Sequence, residues 1–114
     1  TPHRVDSASL LNLWQQRVGS QIDAFARALA KAVFISEIGY RNTSDAGYLP
    51  YSSDPGTHAP RDDAEQARLY GAALQNVSHD RLINGIFIWA WSIAPYTPSN
   101  KPAAQVLKKW FLIL

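Results

Sequence analysis

Two stretches of the chain are apolar at nearly every position, and three others are apolar at every third or fourth. Val33-Phe34-Ile35-Ser36-Glu37-Ile38 and Ile83-Asn84-Gly85-Ile86-Phe87-Ile88-Trp89-Ala90-Trp91 are of the first kind, the pattern of strands covered on both faces. With a period of two, Val33, Ile35 and Glu37 are expected on one face and Phe34, Ser36 and Ile38 on the other. In the second stretch Phe87, Trp89 and Trp91 are expected to share a face opposite Ile86, Ile88 and Ala90. The helical period appears first at Leu10, Trp14, Val18, Ile22, Phe25 and Leu29, predicting a long helix from a cap at Asp6 or Ser7 to about Lys31. It returns at Ala67, Tyr70, Leu74 and Val77, behind Asp62 and Asp63, whose charges suit a helix N-terminus. The last stripe is Ala103, Val106, Leu107, Trp110 and Phe111, opened near Lys101 with Pro102 in the first turn.

The predicted order is therefore helix, strand, helix, strand, helix, a βαβ unit with two parallel strands. Purely parallel sheets belong to larger doubly wound folds or closed barrels. Two such strands are thus expected either to be part of a larger α/β architecture or to complete their sheet by association. Between the first strand and the second helix, Gly39 to Arg61 shows no period, only Ser, Asp, Gly, Pro and Tyr. With Tyr40, Tyr48 and Tyr51 in it, this stretch reads as an ordered lid or wall rather than a linker.

Composition narrows the function. The 114 residues suit at most one domain, and 46% hydrophobic with 18% charged residues is globular. A net charge of +2 without a basic run does not point to nucleic acid. No membrane span or targeting segment is read, and the chain starts at Thr1 without methionine, so preceding residues are expected to have been removed or not included. No compartment is assigned. There is no cysteine, hence no disulfide or thiolate metal site, and His3, His58 and His79 have no metal-ligand spacing. No cofactor is expected: Gly39 stands alone rather than in a phosphate loop. Asn42-Thr43-Ser44 and Asn76-Val77-Ser78 match the glycosylation acceptor pattern, a pattern common by chance.

The chemistry centres on Glu37, a carboxylate at the carboxyl end of a buried strand, where α/β proteins collect ligands and catalytic groups. Taken alone, such a residue is more often a strand-end carboxylate paired with a neighbouring Arg. Its context points further. Phe34-Ile35-Ser36-Glu37-Ile38-Gly39-Tyr40-Arg41-Asn42 resembles the seventh strand of clan-A (β/α)8-barrel glycoside hydrolases, most closely family 113, the β-mannanase-like barrels. Gly85-Ile86-Phe87-Ile88-Trp89-Ala90-Trp91 is similar to their eighth strand. Asp63-Ala64-Glu65-Gln66-Ala67-Arg68-Leu69-Tyr70 resembles a helix opening of theirs, and Lys101-Pro102-Ala103 the start of their last helix.

The resemblance implies the C-terminal quarter of a TIM barrel over residues 1–114: helix six, strand seven, helix seven, strand eight and helix eight. It implies Glu37 as the nucleophile of a retaining hydrolase of β-linked polysaccharide such as β-mannan. Trp89 and Trp91 would floor the sugar site, one of them filling the barrel instead, and Tyr40 and Arg41 would help bind substrate or keep the carboxylate ionised. The acid/base carboxylate of such enzymes lies on strand four, which this chain lacks. The partners implied are an oligo- or polysaccharide and the rest of the barrel, or further copies of the chain, to cover the sheet. A non-catalytic carbohydrate-binding or structural remnant is the alternative. The resemblance also directs attention to Trp91–Ser92 as a candidate cis peptide.

Overall fold

The computed structural model describes residues 5–47 and 59–112. The order of elements follows the pattern above, with the first helix interrupted. Helix α1, Ser7–Trp14, passes through a π-helical segment, Gln15–Gly19, into α2, Ser20–Leu29. Strand β1, Val33–Ile38, helix α3, Asp63–Ser78, strand β2, Ile83–Ile88, and helix α4, Pro102–Phe111, follow. The two strands pair in parallel and form a two-stranded sheet.

Each helix start has a chemical cause. Asp6 accepts from the Ser9 amide at 2.8 Å and Asp62 from the Glu65 amide at 2.9 Å, each satisfying one orphan donor of a first turn. Helix α2 ends at Leu29, short of Lys31, because Ala30 takes a left-handed conformation with φ 53°. Helix α4 begins at Pro102, whose missing amide hydrogen costs nothing at N1. Its cap is Lys101, and Asn100 before it turns left-handed at φ 57°.

One side of the sheet carries the core. Ile83 and Ile86 are buried there with Tyr70, Ala73, Leu74 and Val77 of α3, Ala103 and Leu107 of α4, and Trp14 of α1; Val33, Ile35, Ile38 and Ile88 pack against them. This arrangement departs from a strict period of two. Val33 pairs with Ile83 and Phe34 with Gly85, so β2 holds an extra residue there; Ile35 pairs with Ile86 and Ile38 with Ile88, so β1 holds one in turn. The two bulges cancel, and they re-aim what lies between them. Ile38 joins Val33 and Ile35 against the helices, and Glu37, expected on their face, is exposed.

Phe34 and Phe87 lie away from the core, 68% and 61% exposed, their rings edge to face at 6.4 Å. The uncovered side of the sheet is thus the Phe34 and Phe87 side. Val33 and Ile35 are on the side covered by helices.

The first helical stripe is also displaced. Trp14 is buried and Ile22 packs on the core, but Val18, Phe25 and Leu29 are exposed, and Ala26 is buried in their stead. A π segment carries more residues per turn than an α-helix, so the phase of the stripe slips across Gln15–Gly19. Among the described residues no helix is long and apolar enough to cross a membrane.

Candidate functional site

The carboxyl ends of both strands lie side by side, joined backbone to backbone. The Trp89 amide donates to the Ile38 carbonyl at 2.8 Å, continuing the ladder one residue past β2. Immediately beyond, Gly39 passes so close to the Trp89 carbonyl that a Cβ at this position would collide with it. Glycine is required here for close approach of two main chains. Glu37, exposed at the penultimate position of β1, therefore sits one residue before the carbonyl that receives Trp89.

The two indoles stand beyond the strand rather than in it, since β2 ends at Ile88. Trp89 is 39% and Trp91 55% exposed. The Trp89 ring is held edge to face by Tyr96 at a centroid distance of 4.8 Å. The non-proline cis peptide falls at Trp89–Ala90, two residues before the expected Trp91–Ser92. A second cis bond precedes Pro95.

Behind this rim lies a polar and aromatic layer that includes two of the residues expected at the site. Tyr40 turns into the helix layer. Its ring meets Tyr70 edge to face at 5.1 Å, and its hydroxyl accepts from Trp14 Nε1 at 3.2 Å. Burial pushes its phenol up to about 12, although the Trp14 hydrogen bond acts the other way. Arg41 is 4% exposed and lies 3.4 Å from Asp45. A sugar would reach neither side chain without displacing these partners. The structure thus ties the Trp89 backbone to the exposed strand end that carries Glu37, leaves Trp91 exposed two residues on, and draws Tyr40 and Arg41 into the layer behind.

Two further residues of this layer carry more of the site's geometry than sequence reading assigned them. Gln66 Nε2 donates to the carbonyls of Tyr40 and Tyr96, both at 2.9 Å, and the Tyr70 hydroxyl accepts from the Tyr40 amide at 3.4 Å. Both lie on the motif from Asp63 to Tyr70, and the i, i+4 spacing was the visible signal: it puts Gln66 and Tyr70 on one face of α3.

The long loop after β1 is fastened at its neck. Thr43 and Arg61 form an antiparallel bridge, and the Ser44 amide donates to the Pro60 carbonyl at 3.0 Å. Asp63 accepts from Asn42 Nδ2 at 2.9 Å and from the Arg61 guanidinium at 2.7 Å; Arg61 first, then Asn42, holds its carboxyl below the usual range. Tyr48, Tyr51 and the rest of residues 48–58 in the expected lid lie outside the described residues. Both glycosylation-pattern asparagines are already committed: Asn42 is buried on Asp63, and Asn76 donates to the carbonyls of Leu11 and Ala72 at 3.0 and 2.8 Å.

The remaining described carboxylates are employed elsewhere. Asp45 faces Arg41, Glu65 meets Arg68 at 2.9 Å, and Asp6 and Asp62 cap helices. Asp23 lies at the other end of the sheet's helical layer, its carboxyl pushed up chiefly by a hydrogen bond shared with Asp80 and then by burial. No group of three or more metal-ligating side chains occurs among the described residues.

Comparison with known proteins agrees with this architecture. The model of Glycoside Hydrolase Family 113 matches residues 5–110. A solved structure of a GH113 β-1,4-mannanase in complex superimposes with a TM-score of 0.77 at 21% identity, covering 90% of this chain. The chain spans 36% of that structure's length. No curated protein sequence matches.

Proposed function

The chain belongs to glycoside hydrolase family 113, and from that premise we propose that it is the C-terminal portion of a (β/α)8 barrel in which Glu37 is the nucleophile of a retaining hydrolase. On this reading β1 and β2 are strands seven and eight. One observation carries it: an exposed carboxylate ends a parallel strand at Glu37, one residue before the carbonyl that receives the Trp89 amide. The carboxyl ends of the strands are where such barrels perform their chemistry.

The reaction has two steps. The Glu37 carboxylate attacks the anomeric carbon as the glycosidic C–O bond breaks, and the leaving oxygen takes a proton from an acid about 5–5.5 Å away. That group, now a base, takes a proton from water, which displaces Glu37 and leaves the sugar with its original configuration. The acid/base comes from a part of the barrel outside this chain, consistent with the structural commitments of the other described carboxylates. Trp89 and Trp91 offer exposed indole faces to the apolar face of a pyranose. Tyr40 and Arg41 serve from behind, fixing the loop that follows the nucleophile. The neighbour's activity suggests a β-1,4-linked mannan as substrate.

The test uses the longest polypeptide that carries this segment and an aryl β-mannoside with an activated leaving group. Glu37→Gly is expected to abolish turnover, and azide to restore it with an α-glycosyl azide as product, the signature of a vacated nucleophile position. Turnover that survives Glu37→Gly overturns the assignment. Mannan binding without hydrolysis in both proteins favours the non-catalytic reading. Residues 1–114 alone are expected to be inactive, since a missing acid/base forfeits ~10²–10⁴-fold.

A further inference from the structure

We propose that Gln66 is a positioning residue whose single carboxamide sets the spacing between the loop after β1 and the loop after β2, and so between Glu37 and the Trp89 ring. The inference deepens the reading above and rests on it for its catalytic meaning.

Gln66 is on the second turn of α3 and wholly buried. Its Nε2 donates to Tyr40 of the first loop and Tyr96 of the second, both at 2.9 Å, and lies 3.5 Å from the Thr97 carbonyl. Those carbonyls fix the orientation of the amide, because a flipped side chain would set oxygen against oxygen. The opposite atom, Oε1, is buried and has no hydrogen-bond partner among the described residues. The side chain is thus committed to its two donors. A residue serving only to fill the core would be better apolar, since an unpartnered buried acceptor is costly.

The bridge is short at both ends. Tyr40 follows Glu37 through Ile38 and Gly39, where the backbone is pressed against the Trp89 carbonyl. Tyr96 offers its carbonyl to Gln66 and its ring to Trp89. The second loop is itself stiff: the Tyr96 and Thr97 amides both donate to the Ile93 carbonyl, at 2.8 and 2.9 Å, and Lys101 Nζ holds the Thr97 carbonyl at 2.6 Å. A direct tie between the loops runs from the Asn42 amide to the Pro95 carbonyl at 3.1 Å. Tyr70, one turn on from Gln66, meets Tyr40 a second time. A shift of either loop would therefore be felt at the other through α3.

The test compares Gln66→Met and Gln66→Glu with the parent in the longest polypeptide carrying the segment. Amide hydrogen exchange and kinetics on the activated mannoside are read across pH. Gln66→Met keeps the volume and removes both donors, so exchange over residues 38–42 and 93–97 is expected to quicken about 10–100-fold, with α4 and the body of both strands unchanged. The fall in kcat/KM should lie mainly in kcat.

Gln66→Glu should match this at alkaline pH. It should return toward the parent as pH falls, because a carboxyl facing carbonyls in a buried site holds its proton and can supply one donor. A filler residue would show no such return. Unchanged exchange in the two loops overturns the proposal, as does equal loss of protection throughout the chain. Opened loops with undiminished kcat overturn the positioning role. If activity proves independent of Glu37 while both variants open the loops, the catalytic reading fails and the loop spacing by Gln66 stands.

Discussion

The two sides of the sheet each carry large apolar residues, and these meet opposite fates. Toward the helices, Ile83 and Ile86 are buried and Val33, Ile35, Ile38 and Ile88 pack on the α3 and α4 core. Away from them, Phe34 and Phe87 are exposed, their rings edge to face. Hydrophobicity says that a residue seeks cover, whereas the neighbouring elements decide which cover it receives. The bare side carries two large aromatic rings beside Ser36, Glu37 and Asn84, and the proposed barrel interior would give those rings what the helices give the other side.

The sharpest way to break that comparison is to truncate each side in two contexts. In a polypeptide completing the barrel, Phe34→Ala and Phe87→Ala are each expected to cost about 3–5 kcal/mol by denaturant unfolding. In residues 1–114 alone the pair should cost no more than about 1 kcal/mol, the worth of an aromatic contact. The parent segment should self-associate in sedimentation, and the double variant should shift it toward monomer. A parent segment that unfolds cooperatively as a monomer would mean that the aromatic side needs no cover.

Leu74→Ala is the counterpart on the filled side. Leu74 is fully buried among helices and sheet, so a loss of about 2–5 kcal/mol is expected in both contexts. The rim where the two sides meet comes next. Gly39→Ala forces the Trp89 carbonyl to move, at about 1–3 kcal/mol. It should also reduce mannoside turnover more than unfolding alone explains.

The smallest effect is a pH dependence. The Tyr40 phenol, raised from 10.0 to about 12 chiefly by burial, favours the folded state while neutral. Its contribution is fully present below pH 10.0 and is lost as pH rises toward about 12. Stability should thus fall over that window by about 2 kcal/mol more in the parent than in Tyr40→Phe.

Element order and parallel pairing were legible because near-continuous apolar runs and helical stripes differ in period. Glu37 was legible because it interrupts such a run at its end. Its facing was not: two bulges that cancel leave the apolar sequence unchanged while moving Ile38 to the helix side and freeing Glu37. Val18, Phe25 and Leu29 misled for a related reason, since the π segment at Gln15–Gly19 changes phase without any apolar residue moving in sequence. Tyr40 and Arg41 follow Glu37 closely enough to suggest the same pocket. Proximity in sequence says nothing about a turn that sends one ring to Trp14. Gln66 was overlooked because its i, i+4 spacing to Tyr70 shows only a shared helix face, while its importance depends on two carbonyls from distant loops.

The fastening at the neck of the long loop has a consequence for how such a chain can diversify. The Thr43–Arg61 bridge and the Ser44–Pro60 hydrogen bond bring the two legs together before the loop begins its excursion. Whatever is spliced between them starts and finishes at the same two points, leaving β1 and α3 indifferent to its length. Closing a flexible loop grows dearer only logarithmically, about 0.6 kcal/mol for each doubling. The sequence between Gly47 and Ala59 is therefore a natural cassette: segments of other lengths and compositions could be exchanged there, with β1 and the Arg41–Asp45 pair left as they are.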